Sequence, residues 1–192
     1  MPQPHHFSLP PNLPRPVDDG ATDHLKGTKM PAILLPSTAG RMVDLSALPA
    51  PRTVIYCYPR TGVPGEPLPE GWDMIPGARG CTPQSCGFRD LIAEFRQLST
   101  DVFGFSTQTT AYQREASERL HLPFEILSDP EFKSCTALRL PMFEVQGMRL
   151  VKRVTLIVRN GQIEHVFYPV FPPNESAEET SSWLRRHPIA SV

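Results

Sequence analysis

Gly80-Cys81-Thr82-Pro83-Gln84-Ser85-Cys86-Gly87-Phe88-Arg89-Asp90 runs directly into a helical pattern that ends near Leu98. Phe88, Leu91, Ile92, Phe95 and Leu98 share one face at about 3.6 residues per turn, and Arg89, Asp90, Glu94 and Arg96 turn elsewhere. Pro83 fits the first helical position, where a missing N–H is harmless. Cys81 then stands at or just before the helix N-terminus, where unpaired N–H groups and the helix dipole favour an anion. The thiolate is the form of cysteine that attacks electrophiles, so the stretch predicts a reactive thiol on the first turn of a helix.

Cys86 adds a geometric constraint. Five residues of α-helix separate two Cα atoms by roughly 8 to 9 Å, and a disulfide tolerates about 7 Å at most. Cys81 and Cys86 are therefore two thiols in an intact helix or one disulfide in an unwound one. The plainer alternative makes Cys86 a small buried hydrophobe and Cys81 a loop thiol.

The 192 residues suit one domain with a sizeable core. A formal net charge of -1 with interspersed acids and bases gives no electrostatic case for nucleic acid or an anionic membrane. No apolar run approaches the roughly 18 residues of a span, and the start lacks the basic and apolar regions of a signal peptide, so the expected compartment is the cytoplasm. The four cysteines, Cys57, Cys81, Cys86 and Cys135, are too few and too uneven for a secreted disulfide scaffold. They do not form two close pairs, and no histidine has matching spacing, so no metal site is expected. The 23 prolines concentrate in 2–16 and 59–83, marking two irregular segments.

Residues 1–24, with the His5-His6 pair, form a Pro-rich extension that is disordered or lies extended over the domain, and His5-His6 is expected to be solvated. The domain occupies 25–192. Ala32 to Leu35 and Arg41 to Leu45 read as strands joined by a turn at Ser37 to Gly40. Thr53 to Tyr58 is β-branched and aromatic without alternation, as in a strand buried on both faces, with Cys57 a core residue. Its end at Pro59 is where an α/β sheet offers a ligand crevice.

The long 60–80 connection is rich in Gly and Pro; it is expected to wall the site, with Trp72 as its packing anchor. Strands follow at Val102 to Thr107 and Phe124 to Leu127, with a helix from Thr110 to Leu120 between them. Ser128-Asp129-Pro130-Glu131 reads as the cap and first turn of a helix reaching Leu138, with Cys135 on its buried face. Leu150 to Val158 reads as one strand, Asn160-Gly161 as a hairpin turn, and Gln162 to Tyr168 as its return. Asn174-Glu175-Ser176 caps a last helix ending near Arg186. The order implies an α/β fold with a mixed central sheet flanked by helices.

The strand ending in Tyr58-Pro59, the Gly80 to Asp90 motif, Leu127-Ser128-Asp129-Pro130 and Arg153-Val154-Thr155-Leu156-Ile157-Val158 together resemble the peroxiredoxins, most of all the Q type or bacterioferritin comigratory proteins. The likeness covers about 25–187 and implies a thioredoxin-like fold and a thiol-dependent peroxidase acting on hydrogen peroxide or organic hydroperoxides. It implies Cys81 as peroxidatic cysteine, Cys86 as resolving cysteine and Arg153 as the arginine beside the thiolate. No metal or organic cofactor is implied. A thioredoxin- or glutaredoxin-like thiol donor would recycle the disulfide, and the chain would be a monomer or dimer. Independently of the likeness, a cation preceding a central strand has little structural motive, and beside a thiolate it would stabilise the charge.

One departure bears on activity. The family pattern Pro-x-x-x-Thr-x-x-Cys is absent, because Pro59 lies far upstream and Ala78 stands three before Cys81. Thr61, carried back by the loop, or Thr82 is left to supply the missing hydroxyl, and Pro59, Thr61, Thr82 and Trp72 are the candidate substrate contacts. Two rival readings are a thioredoxin- or TlpA-like disulfide oxidoreductase and a non-catalytic redox sensor whose Cys81/Cys86 switch exposes surface near Trp72. Against the first stand the Cys-x-x-x-x-Cys spacing and the lack of proline before Val154.

Overall fold

The structure is a computed structural model describing residues 9–49 and 51–189; His5-His6 lies outside the described residues. Its centre is a five-stranded sheet built from β3 (Arg52–Cys57), β4 (Thr100–Ser106), β5 (Ile126–Ser128), β8 (Val154–Arg159) and β9 (Gln162–Phe167), in the order β5-β4-β3-β8-β9. β3 runs parallel to β4 and antiparallel to β8, β4 and β5 are parallel, and β8 and β9 are antiparallel. This is the mixed sheet expected from the sequence.

All six residues of β3 are buried, because it is the middle strand and both its faces are covered. Ile55 and Cys57 enter one core with Leu35, Phe103, Leu127, Cys135, Val154 and Leu156. Val54, Tyr56 and Tyr58 face the other core, with Cys81, Phe88, Phe95, Ile157 and Leu184. The period-two alternation of a strand thus splits the core into two layers.

The helices that cover the second layer include α1 (Cys81–Asp90), α2 (Ile92–Gln97) and α5 (Ser176–Arg186). The continuous helix expected from Cys81 to Leu98 is broken at Leu91, whose backbone leaves helical geometry at φ -98°, ψ 7°. The apolar stripe survives the break, with the Phe88 and Phe95 rings 5.5 Å apart. α1 begins at Cys81 itself, so Pro83 is its third residue, where the N–H would also lack a helical partner.

Three further expectations are corrected. Leu150 to Val158 is two strands: β7 (Met148–Val151), which forms a hairpin with β6 (Met142–Val145), and β8, with Lys152 and Arg153 between them. The Lys152 N–H still donates to the Pro141 carbonyl, one step beyond the Met142–Val151 pair, so the hairpin holds the chain as far as Lys152 and keeps it out of the central sheet until Val154. The helix expected from Ser128 begins only at α4 (Lys133–Ala137); Asp129 caps it from outside, its carboxylate accepting from the N–H groups of Lys133, Ser134 and Cys135. A single 3-10 turn at Pro173–Glu175 precedes α5.

The remaining elements follow the pattern. β1 (Leu34–Pro36) and β2 (Met42–Asp44) form the first hairpin, and α3 (Thr110–Arg119) lies beside β5 with Thr109 as its N-cap. Asn160 and Gly161 carry the positive φ values of a tight hairpin turn. From residue 9 onward the Pro-rich extension lies on the domain: His24 Nε2 sits 2.9 Å from the Leu138 carbonyl oxygen, and Asp19 bridges Lys152 Nζ and the Tyr168 hydroxyl.

Candidate active site

Cys81 is the first residue of α1, preceded by Gly80 with φ 108°. Only glycine serves at that position, since a Cβ would fall 2.3 Å from Pro173 and 2.9 Å from Leu9 as well as straining the backbone. The thiol is 4% exposed and lies against the Ala78 carbonyl oxygen, 3.7 Å away. The helix start leaves the Cys81 and Thr82 N–H groups without helical partners.

Arg153, 3% exposed, reaches this thiol from the gap between β7 and β8. Its Nη2 donates to Cys81 Sγ at 3.3 Å and to the carbonyls of Ala78 at 3.2 Å and Arg79 at 3.3 Å. Nε donates to the Gly77 carbonyl, and Nη1 to Gln84 Oε1. Apart from the sulfur, every protein acceptor around this buried cation is a carbonyl or amide oxygen, and among the described residues no carboxylate forms an ion pair with it. Gln84, one turn along α1 from Cys81, is fully buried; its Nε2 donates to Ser176 Oγ at 3.2 Å, which orients Oε1 toward Arg153.

A cavity of about 170 Å³ opens beside Cys81, walled by Leu9, Arg60, Val63, Leu68, Trp72, Thr82 and Arg119, among others. Residues of the 60–80 connection, from Arg60 to Trp72 and at Arg79 and Gly80, line this cavity, and Trp72 packs with Ala78 and with Val145 and Leu150 of the β6–β7 hairpin. Thr82 and Trp72 reach the cavity. Pro59 and Thr61 do not: the Pro59 carbonyl accepts from Ser106, and the Thr61 N–H and hydroxyl both turn to Gln108 Oε1. At Ala78 the backbone carbonyl faces the thiol, and the methyl group is buried with Trp72.

Cys86, on the buried side of α1, is a free thiol, as are Cys57, Cys81 and Cys135. Burial pushes the Cys86 thiol above its ordinary range. It does the same, more strongly, to Cys57 and Cys135 in the opposite layer, with the Asp129 carboxylate adding to both shifts. Among the described residues no group of three or more His, Cys, Asp or Glu is placed to hold a metal ion.

A family model for redoxin matches residues 25–181. The chain belongs to the redoxin family. Its similarity to peroxiredoxins Bcp and Q and to a solved peroxidoxin BcpB makes this redoxin a peroxiredoxin of the Q/Bcp kind, a thiol-dependent peroxidase. It is 28% identical to peroxiredoxin Bcp of Escherichia coli K12 over 170 residues, covering 84% of this chain and 96% of that one. It is likewise 28% identical to a chloroplastic peroxiredoxin Q of Oryza sativa subsp. japonica over 160 residues, covering 83% of this chain and 66% of the rice protein's length. The crystal structure of peroxidoxin BcpB from Mycobacterium tuberculosis superposes with a TM-score of 0.70 at 25% identity, covering 88% of this redoxin and all of that chain. Peroxiredoxin Q of Xanthomonas campestris, at 20% identity and a TM-score of 0.67, shares the fold, covering 85% of this chain and 97% of that one.

Sequence reasoning missed Gln84, Ser176, Arg60 and Arg119. Gln84 was findable, since a residue three after Cys81 on a helix shares its face. The others reach the site only through tertiary packing and carry no local signal.

Proposed function

We propose that Cys81 is the peroxidatic thiol, Cys86 its resolving partner and Arg153 the group that holds the thiolate and the peroxide. The observation that carries this reading is the buried Arg153 guanidinium against Cys81 Sγ, with no carboxylate among the described residues in an ion pair with it. A desolvated cation among carbonyl oxygens favours an anion at the one remaining contact, and the thiolate is that anion.

Cys81 thiolate attacks the terminal peroxide oxygen in line with the O–O bond. An S–O bond forms, the O–O bond breaks, and the displaced alkoxide or hydroxide takes up a proton. Arg153 and the first-turn N–H groups stabilise the charge that develops on the oxygens. The product is a sulfenic acid. The start of α1 then unwinds, Cys86 sulfur displaces water from the sulfenic acid, and an external dithiol of the thioredoxin or glutaredoxin kind reduces the disulfide. Thr82, at the cavity wall, is the hydroxyl placed to assist peroxide orientation in place of the absent threonine. The steps require no metal or organic cofactor, and the four free cysteines suit a reducing compartment such as the cytoplasm.

Mass spectrometry of Cys86→Ser after one equivalent of peroxide tests the assignment. A product bearing one added oxygen on Cys81 is expected, where the unsubstituted protein forms a Cys81–Cys86 disulfide. Undiminished disulfide formation in Cys86→Ser would move the resolving role to another cysteine, with Cys135 the first to test.

A further inference from the structure

We infer that Arg60 and the cavity beside Cys81 form a subsite for the carboxylate of an anionic organic hydroperoxide. The inference rests on Cys81 being the peroxide-reducing thiol, and it adds a substrate class to that reading.

Three arginines line the cavity, and they differ in how their charge is met. Arg79 pairs with Asp73 at 3.1 Å, and Arg119 pairs with Glu115 at 2.7 Å while donating to the Gly62 carbonyl at 3.0 Å. Arg60 has no ion-pair partner among the described residues. It is half-buried, and its guanidinium is held by neutral groups alone: Nη2 donates to the Tyr112 hydroxyl at 3.0 Å, Nη1 lies 3.7 Å from Met148 Sδ, and the guanidinium carbon sits 5.7 Å from the centre of the Tyr112 ring. Glu66 is the acid on the cavity lining, and it stands on an exposed stretch where water meets its charge.

A partly desolvated guanidinium fixed in orientation and lacking an acid partner is a receptor for a carboxylate. The apolar side chains on the same wall, Leu9, Val63, Leu68 and Trp72, provide contact for hydrocarbon. Cys81 on that wall requires a hydroperoxide. A molecule that satisfies all three carries a hydroperoxide and a carboxylate joined by a short apolar body, which hydrogen peroxide does not. The covalent step is unchanged: an S–O bond forms, the O–O bond breaks, and the hydroxy acid leaves with a proton, while Arg60 takes no part in electron or proton transfer.

Cumene hydroperoxide and its 4-carboxy derivative form a matched pair for the test, with hydrogen peroxide as reference, on the full chain and on Arg60→Gln and Arg60→Lys. The unsubstituted protein is expected to show kcat/KM about tenfold higher for the carboxylated member, the size of one charged hydrogen bond. That ratio should fall toward one in Arg60→Gln, be partly kept in Arg60→Lys, and shrink with added salt. Circular dichroism of the variants separates a loss of subsite from a loss of fold. Equal rates for the two members in the unsubstituted protein, or a ratio that survives Arg60→Gln in a folded variant, overturns the subsite. If hydrogen peroxide too reacts no faster than with Cys81→Ser, the assignment of Cys81 fails first and the subsite falls with it.

Discussion

Arg153 was legible in the sequence because a cation has no reason to precede a buried central strand unless something there needs its charge. In the structure its Nη2 lies 3.3 Å from the Cys81 sulfur, the contact on which the proposed role rests. An unpaired buried charge carries a penalty of several kcal/mol, which the carbonyls of Gly77, Ala78 and Arg79 and the Gln84 amide offset with their dipoles. Replacing Arg153 with Gln removes both the donor to sulfur and the stabilisation of the displaced oxygen. A loss of about 10² to 10³ in kcat/KM for peroxide is expected, as for the removal of an oxyanion donor. Near-normal turnover by a folded Arg153→Gln would detach this side chain from the chemistry. Thr61 stands off the cavity lining for a reason that sequence does not display. Its hydrogen-bonding groups are taken by Gln108, a partner 47 residues away.

At the scale of elements, the helical periodicity before and after Leu91 was readable, whereas the break was not, since no glycine or proline marks it. The β6–β7 hairpin was missed because Met142 to Val151 lacks a strong turn dipeptide; its turn is made by Gln146-Gly147 with positive φ at both residues, and glutamine does not announce that conformation. α1 is the element on which the proposed cycle turns, since Cys81 and Cys86 are free thiols in the helix and must leave it to join. Gly87 lies in its middle. A Cβ there would meet Ala177 at 3.4 Å and the Asn174 carbonyl oxygen at 3.5 Å, which is ordinary contact. Gly87→Ala therefore stabilises the helix by about 0.5 to 1 kcal/mol. Disulfide formation should slow by about two- to fivefold, with sulfenic acid formation unaltered; rapid-quench mass spectrometry separates the two steps. Identical disulfide rates would mean that unwinding of α1 does not limit resolution.

Across the whole molecule, the fold class was legible because the strands alternate with helices and β3 reads as buried on both faces. The placement of the Pro-rich extension was not, since its fixed points, Asp19 with Lys152 and Tyr168, and Leu9 at the cavity, are contacts between distant residues. These hydrogen bonds, the one from Lys152 foremost, hold the Asp19 carboxyl down at about 2. The thiols have the opposite consequence at high pH. Cys57, Cys86 and Cys135 keep their protons in the folded protein because burial raises them, and the unfolded chain loses those protons near the ordinary thiol value of about 8.5. Below that value their contribution is fully present. Above it the unfolded state binds fewer protons than the native one, so stability falls as pH rises, by up to about 1.4 kcal/mol per pH unit for each of the deeply buried Cys57 and Cys135. Chemical denaturation between pH 8 and 10 should show this decline, and a Cys57→Ala, Cys135→Ala variant should flatten it. A pH-independent midpoint in the unsubstituted protein would contradict the assigned burial of these thiols.

The most direct test of Cys81 as the reacting thiol is stopped-flow mixing of the reduced protein with hydrogen peroxide, followed through the fluorescence of Trp72, at the cavity, and Trp183. A fast change that saturates at one equivalent and disappears in Cys81→Ser is the predicted result. Oxidation no faster than that of free cysteine would contradict it, and would show that the Arg153 contact and the start of α1 do not activate this sulfur.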